Sequence, residues 1–213
     1  MVHTAQTQIG YLQNNQMTIH NLISKRKSIR AFSEQPIDDE TLASLFEAAR
    51  WAPSSANEQP WRFILAKKED KIAFLKMEDC LVEGNKIWAK DAAALFITIA
   101  KKNFDFNNKA NIYSWHDVGL ATAMLSVQAT ELNLYLHQMG GFDHAKAKEV
   151  FAIPDDYEAV SIIAVGYEGD PELLPENLRA REVGERKRKP LSELVFSSQF
   201  GKENDLFKTT TNN

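Results

Sequence analysis

After Pro36, apolar side chains return every three or four positions, and Leu42, Leu45, Phe46 and Ala49 would line one face of a helix. Asp38 can cap this helix, Asp39 and Glu40 suit its positive end, Ile37 can staple onto Leu42, and Pro53 follows the last turn. Ile19, Leu22 and Ile23 repeat the spacing and predict a first helix over residues 18–25. The period changes to two over residues 61–66, between Pro60 and a charged cluster, which predicts a strand. Residues 70–78 and 83–90 read as helices. Residues 92–100 (AAALFITIA) are apolar almost throughout and end in β-branched side chains, as in a central strand covered on both faces. Residues 111–137 contain no proline and read as one long helix. Its middle is apolar nearly all round (Val118, Leu120, Ala121, Ala123, Met124, Leu125, Val127), so it should be buried on more than one side. A short helix around 144–151 and a last strand over 159–167 follow. Interleaved helices and strands predict an α/β or α+β sandwich.

A chain of 213 residues can bury one full core, and no linker, repeat or low-complexity block divides it. The reading is a loose N-terminal segment over 1–17, one domain over 18–200 and a tail over 201–213. A net charge of -4 offers no general field for nucleic acid or anionic membrane. Cys80 is the only cysteine, so no intrachain disulfide can form, which fits a reducing compartment. The polar N-terminus lacks the basic and apolar regions of a signal peptide. No apolar stretch reaches the ~20 residues a membrane span needs, so a cytoplasmic protein is expected.

Four stretches carry candidate chemistry. Lys25-Arg26-Lys27-Ser28-Ile29-Arg30-Ala31-Phe32 lies where a helix meets extended chain; its cations and serine can gather round a phosphate, or form a solvated basic helix end. The loop Pro53-Ser54-Ser55-Ala56-Asn57-Glu58-Gln59-Pro60 can offer hydroxyl, amide and backbone groups to a planar polar ligand, or be an ordinary connection. His137-Gln138-Met139-Gly140-Gly141-Phe142 follows the long helix; paired glycines end helices and permit positive φ, and they also let a backbone N–H approach a flat ring. Glu185-Arg186-Lys187-Arg188-Lys189-Pro190 is a basic cluster, a solvated patch or nucleic-acid arm if taken alone.

Taken together, the order and spacing of these elements resemble the nitroreductase family from about residue 18 to 191. The matching segments are RKSIRAF at 26–32, PSSANEQPW at 53–61, Asn85 before the buried strand and MGGF at 139–142. The strand ending Val165-Gly166-Tyr167 and the Arg-x-Arg-x-Pro at 186–190 complete the set. The resemblance implies an α+β sandwich: a central mixed β-sheet flanked by helices, with a long buried helix at a homodimer interface. It also implies a bound FMN. Arg26, Ser28, Arg186 and Arg188 would hold its phosphate, with Lys27 contributing partly through its backbone. Arg30 would lie near the N1/O2 edge of the ring and Asn85 at the pyrimidine end. Pro53, Ser54, Ser55 and Asn57 would come from the other subunit, and a backbone N–H near Gly140 or Gly141, beside Met139, would point at N5. Gln138 stands where relatives commonly carry proline and Gly140 where many carry an acidic residue, which leaves Gln138 free to contact flavin or substrate. Lys187 or Lys189 could share the phosphate.

No GxGxxG follows a strand, so nothing indicates a permanent dinucleotide site; neither G-x-S-x-G nor H-E-x-x-H occurs, and the histidines lack metal-ligand spacing. His116-Asp117 reads as a buried polar pair or dimer contact. His137 adjoins the glycine turn, with packing as its simplest role. These features suit an oxidoreductase whose cofactor carries the chemistry, with no side-chain nucleophile. NAD(P)H would reduce FMN, which would pass two electrons to a nitroaromatic, quinone or enone-like acceptor by a ping-pong mechanism. One alternative is a flavin-dependent dehydrogenase or dehalogenase of the same fold that uses no nicotinamide. Another is a colourless nucleic-acid binder using the two basic clusters.

Overall fold

The computed structural model describes residues 19–207; the expected loose segment 1–17, Thr18 and tail residues 208–213 lie outside the described residues. The elements are α1 (Asn21–Lys25), α2 (Asp39–Arg50), β1 (Trp61–Lys67), α3 (Lys71–Asp79), α4 (Glu83–Ala89) and β2 (Ala94–Lys101). They continue with α5 (Ser114–Glu131), β3 (Leu134–Met139), α6 (His144–Val150), β4 (Tyr157–Tyr167) and α7 (Glu176–Val183). Helix α2 forms as its pattern predicts: Asp38 accepts from Thr41 N–H at its start, and Ile37 and Leu42 are buried in one core. Among the described residues no helix is long and apolar enough to cross a membrane.

The four strands form one sheet in the order β1-β2-β4-β3. Every ladder is antiparallel, so the sheet of the described residues is not the mixed one expected. The physical reason lies in the connections. Helices α3 and α4 together return the chain to the end of β1 from which it left, and Lys67 pairs with Ala94. The single long crossover, α5, does make β2 and β3 parallel to each other, but β4 lies between them. Strand β2 is buried on both faces, as its apolar run predicts. Leu95, Ile97 and Ile99 enter one core, with Phe74 of α3, Trp88 of α4 and Leu178 of α7. Ala94, Phe96 and Ala100 enter the other, with α2 and α5.

The helix expected over 111–137 is two elements. Helix α5 ends at Glu131, Asn133 turns the chain at φ 58°, and β3 begins at Leu134. Asparagine tolerates this left-handed conformation, which is why it serves to stop a helix. Leu134 and Leu136 then face one core and Met139 the other. In the single chain α5 is covered on one side only: Val118, Ala121, Leu125 and Ala129 are buried, whereas Gly119, Ala123 and Met124 are exposed. Helix α7 was not anticipated, because Leu178 is its one buried residue.

Between α1 and α2 the chain crosses the end of β4 in extended form. Ser33 N–H donates to Tyr167 O, and Gly169 N–H donates to Ala31 O. A Cβ on Gly169 would meet the Phe32 carbonyl group at 2.5 Å, so only glycine permits this approach. That contact fixes the course of residues 26–32.

Candidate functional site

Arg26, Lys27, Ser28, Arg186 and Arg188 come together, 160 positions apart in the chain, around a cleft of about 230 Å³. Arg186 builds its wall. Its Nη1 and Nη2 donate at 2.7 Å to Arg26 O and Ser24 O, the carbonyls that α1 leaves unpaired at its C-terminus. Arg26 Nη1 lies 3.4 Å from Ser28 Oγ, and Arg188 Nη1 donates to Lys187 O. These guanidinium groups thus bond to carbonyl and hydroxyl oxygens rather than to carboxylates. Burial, then the charges of Arg188 and Arg186, push the Arg26 pKa below its ordinary value. Lys27 lines the cleft, but its ammonium pairs with Glu168 and lies over the Tyr135 ring, which leaves its backbone for the cleft. Lys187 and Lys189 do not line it, and Lys189 faces Glu193 at 3.9 Å.

Arg30 lies one step further along and is held from several sides. Glu182 Oε1 accepts from Arg30 N–H at 2.8 Å and Ala31 N–H at 3.3 Å, and its Oε2 lies 3.6 Å from Arg30 Nη1. The guanidinium stands 6.0 Å from the centre of the Trp88 ring, which packs against His137 at 4.4 Å. His137 Nδ1 meets Ile29 O at 2.7 Å. Because a carbonyl oxygen only accepts, the proton belongs on Nδ1. Burial, with Arg30 and Arg181 nearby, pushes the His137 pKa to about 4, so the ring is neutral near pH 7. Arg30 is itself pushed down by burial and by Arg181, against the opposing effect of Glu182. Arg181 and Glu182 both line the cleft and were not singled out in the sequence, since nothing marks 176–183 as a helix docked on residue 30.

The 139–142 turn ends a strand, not a helix, and neither Gly140 nor Gly141 has positive φ, contrary to the reading of the glycine pair. Gly141 is there for space. A Cβ would meet Asn85 Nδ2 and Val82 Cγ2 at 3.0 Å, while Gly140 has open room. Asn85 Nδ2 and Val82 N–H both donate to Gly141 O, and Phe142 N–H donates to Gly140 O. In a trans peptide the N–H opposes the C=O, so the Gly141 N–H points away from Phe142. Met139 is buried on the Trp88 side, whereas Gln138 is exposed on the opposite face of β3.

The Pro53–Asn57 stretch does not join this group. Its flanking residues Ala52 and Trp61 pack into the α2 and α5 core, next to edge strand β1, whereas Arg30, Trp88 and Met139 belong to the other face and the β3 side. Ser55 N–H donates to the buried Asp117 Oδ2 at 3.0 Å, and Ser54 Oγ accepts from Gln59 N–H. Ala56, Asn57 and Gln59 all have positive φ, at 53°, 55° and 51°. His116 lies 3.3 Å from Asp117 but is itself exposed, so only half of the expected buried pair is buried.

Comparison with known proteins adds an independent line. The profile of the Nitroreductase family matches residues 23–167. A protein of Xanthomonas oryzae pv. oryzae, provisionally named an NADH dehydrogenase/NAD(P)H nitroreductase, is 30% identical over 177 residues, covering 74% of this chain and 88% of its own. One of Archaeoglobus fulgidus with the same provisional name is 28% identical over 153 residues, 70% and 84% of the two chains. A solved structure described as an oxidoreductase containing FMN superposes with a TM-score of 0.83 at 34% identity, covering 88% of this chain and 95% of that one. A nitroreductase family protein from Clostridium difficile 630 gives 0.67 at 27% identity over 86% and 99%.

Proposed function

The chain belongs to the nitroreductase family, and we propose that it is an FMN-dependent oxidoreductase that takes electrons from NAD(P)H and passes them, in alternating half-reactions, to a small acceptor of nitroaromatic, quinone or enone type. The carrying observation is the cleft of Arg26, Ser28, Arg186 and Arg188 standing beside the Arg30–Trp88 pair.

The residues present fit FMN. Guanidinium groups gathered without carboxylate partners favour a dianionic phosphate, which they can bind bidentately. Arg26, Ser28, Arg186 and Arg188, with the Lys27 backbone, would hold that phosphate. Arg30 would face the N1/O2 edge of the ring, Asn85 its pyrimidine end, and the outward Gly141 N–H would serve N5. When bound, FMN supplies two-electron hydride chemistry. The chain's own part is to orient and polarise. Arg30 places a fixed positive charge where the reduced ring is negative, and neutral His137 holds the Ile29 carbonyl without adding a second charge.

Pro53, Ser54, Ser55 and Asn57 would complete the site from a second subunit. The loop's position across the sheet from Arg30 supports this, since one chain does not bring the two together. So does the exposed face of α5 at Gly119, Ala123 and Met124. Purified protein should be yellow, release intact FMN on denaturation and bleach on addition of NADH or NADPH. A colourless protein that cannot be reconstituted with FMN would refute the proposal. Bound flavin that neither nicotinamide bleaches would point instead to the same fold working without NAD(P)H.

A further inference from the structure

Glu182 is a carboxylate in an unusual position. Its side chain is 7% exposed, Oε1 takes both backbone N–H groups of Arg30 and Ala31, and Oε2 is buried without a full hydrogen bond, 3.6 Å from Arg30 Nη1. An ionised oxygen without a donor is costly to bury and persists only where nearby positive charge offsets it. Arg30 supplies that charge at 3.6 Å, and the charge of Arg181 is felt at Arg30. The converse also holds. Arg30 and Arg181 repel each other, and Glu182 is the anion that bonds Arg30. One carboxylate therefore holds the backbone of residues 30–31 and the guanidinium that the same segment carries. Trp88 and His137 bound the segment from the core side, through the Arg30 guanidinium and the Ile29 carbonyl.

We propose that Glu182 is a positioning residue: it fixes the Arg30 guanidinium and withholds part of its charge, so setting how strongly the site favours reduced FMN. This rests on the FMN reading given above. A merely structural Glu182, a staple of α7 onto the core, would alter stability and leave the flavin's redox balance alone. Charges separated by less than 4 Å in a half-buried site interact strongly, so the counter-ion of Arg30 must be felt at whatever Arg30 faces.

Glu182→Gln tests this. It keeps an acceptor oxygen for the two N–H groups and removes the negative charge. With FMN fully bound, the ratio of reduced to oxidised flavin at a fixed ambient potential should rise roughly three- to tenfold, an upward shift of about 15–30 mV for a two-electron couple. An unchanged or lowered potential overturns the proposal. The second arm needs no flavin. In urea unfolding of FMN-free protein, Glu182→Gln and Arg30→Gln should be coupled, the double variant departing from the product of the single effects on the unfolding constant by at least about threefold. Strict independence of the two would show that Glu182 does not hold Arg30. Failure of the wild-type protein to take up FMN would refute the FMN reading, and the unfolding cycle would still decide the Glu182–Arg30 link. FMN uptake with a flat potential would defeat this inference alone.

Discussion

Residues 26–32 and residues 53–59 are both short polar stretches that leave a helix for extended chain, and they are built in opposite ways. The first is held by its own chain from several directions. Arg186 grips its start, His137 and Glu182 take the peptide groups around residue 30, and the Gly169 contact fixes its end. The second carries three non-glycine residues at positive φ and is tied to distant parts of the chain by two side-chain bonds, Ser55 N–H to Asp117 and Asp105 N–H to Glu58. Strained backbone survives where surroundings over-determine it. In the first stretch those surroundings come from several elements at once; the second is held within one chain by fewer bonds. Under the proposed function, one chain would form the cofactor cleft and a second copy would supply its cover.

The largest effect should follow from blocking that second copy. Arg at position 123, on the exposed face of α5, would meet its own symmetry mate if α5 packs on α5. Ala123→Arg should weaken dimerisation roughly a thousandfold, about 4 kcal/mol, through like charges and desolvation. Sedimentation equilibrium would measure it, and FMN retention should fall in step. A variant that stays dimeric and yellow would mean that the 53–59 loop is not a cover delivered by this interface.

The next effect belongs to the self-contained region. His137 has an ordinary pKa of 6.5 and is held at about 4 in the fold. Its contribution is fully present above pH 6.5 and is lost as pH falls toward 4, because the unfolded chain takes up a proton that the folded one refuses. The loss should amount to about 2–3 kcal/mol across that window. Carboxylates titrate there too, so the measurement is the difference in urea stability between wild type and His137→Asn as pH is lowered. Parallel curves would show that the ring is not kept neutral.

How far each region could be read from residues follows the same division. Asp38, Glu40 and the Leu42–Leu45–Ala49 spacing are local signals, and α2 formed as they indicated. The 92–100 run announced a central strand because apolarity on both faces needs no partner to be recognised. Asn133 was a readable stop, but it lay inside a stretch so apolar that the alternation of Leu134 and Leu136 was absorbed into a helix. Glu182 was not readable, since the N–H it serves lies 152 positions away. Positive φ at Ala56 was equally hidden, because alanine has no preference for it. The basic residues were legible as one candidate group only through the order of several motifs. Folding then showed which of the adjacent cations, Arg186 and Arg188, line the cleft.

Smaller effects separate the two ends of the self-contained region. Arg186→Ala should raise the FMN dissociation constant about 10- to 30-fold, the loss of charge-assisted bonds worth ~1.5–2 kcal/mol, and leave the potential of bound flavin nearly unchanged. Arg30→Ala should act the other way round, lowering the potential by roughly 20–45 mV, or ~1–2 kcal/mol after screening by water. Fluorescence titration and redox titration of both variants distinguish these outcomes. Equal potentials for wild type and Arg30→Ala, with FMN bound, would remove Arg30 from the ring.

The smallest effect compares the same substitution in the two stretches. Ala56 sits at φ 53°, where a Cβ is strained, whereas Ala31 is buried and has no positive φ. Glycine removes the strain at 56 but adds freedom to the unfolded chain, and these terms oppose each other at ~1–2 and ~0.5–1 kcal/mol. Ala56→Gly should therefore stabilise the FMN-free protein by about 0.5 kcal/mol. At residue 31 only the entropy and the lost methyl contact remain, so Ala31→Gly should destabilise it by about 1–2 kcal/mol. Urea midpoints of the two variants give the signs directly. If both substitutions destabilise equally, the 53–59 loop stores no strain, and its shape must come from something other than waiting for a partner.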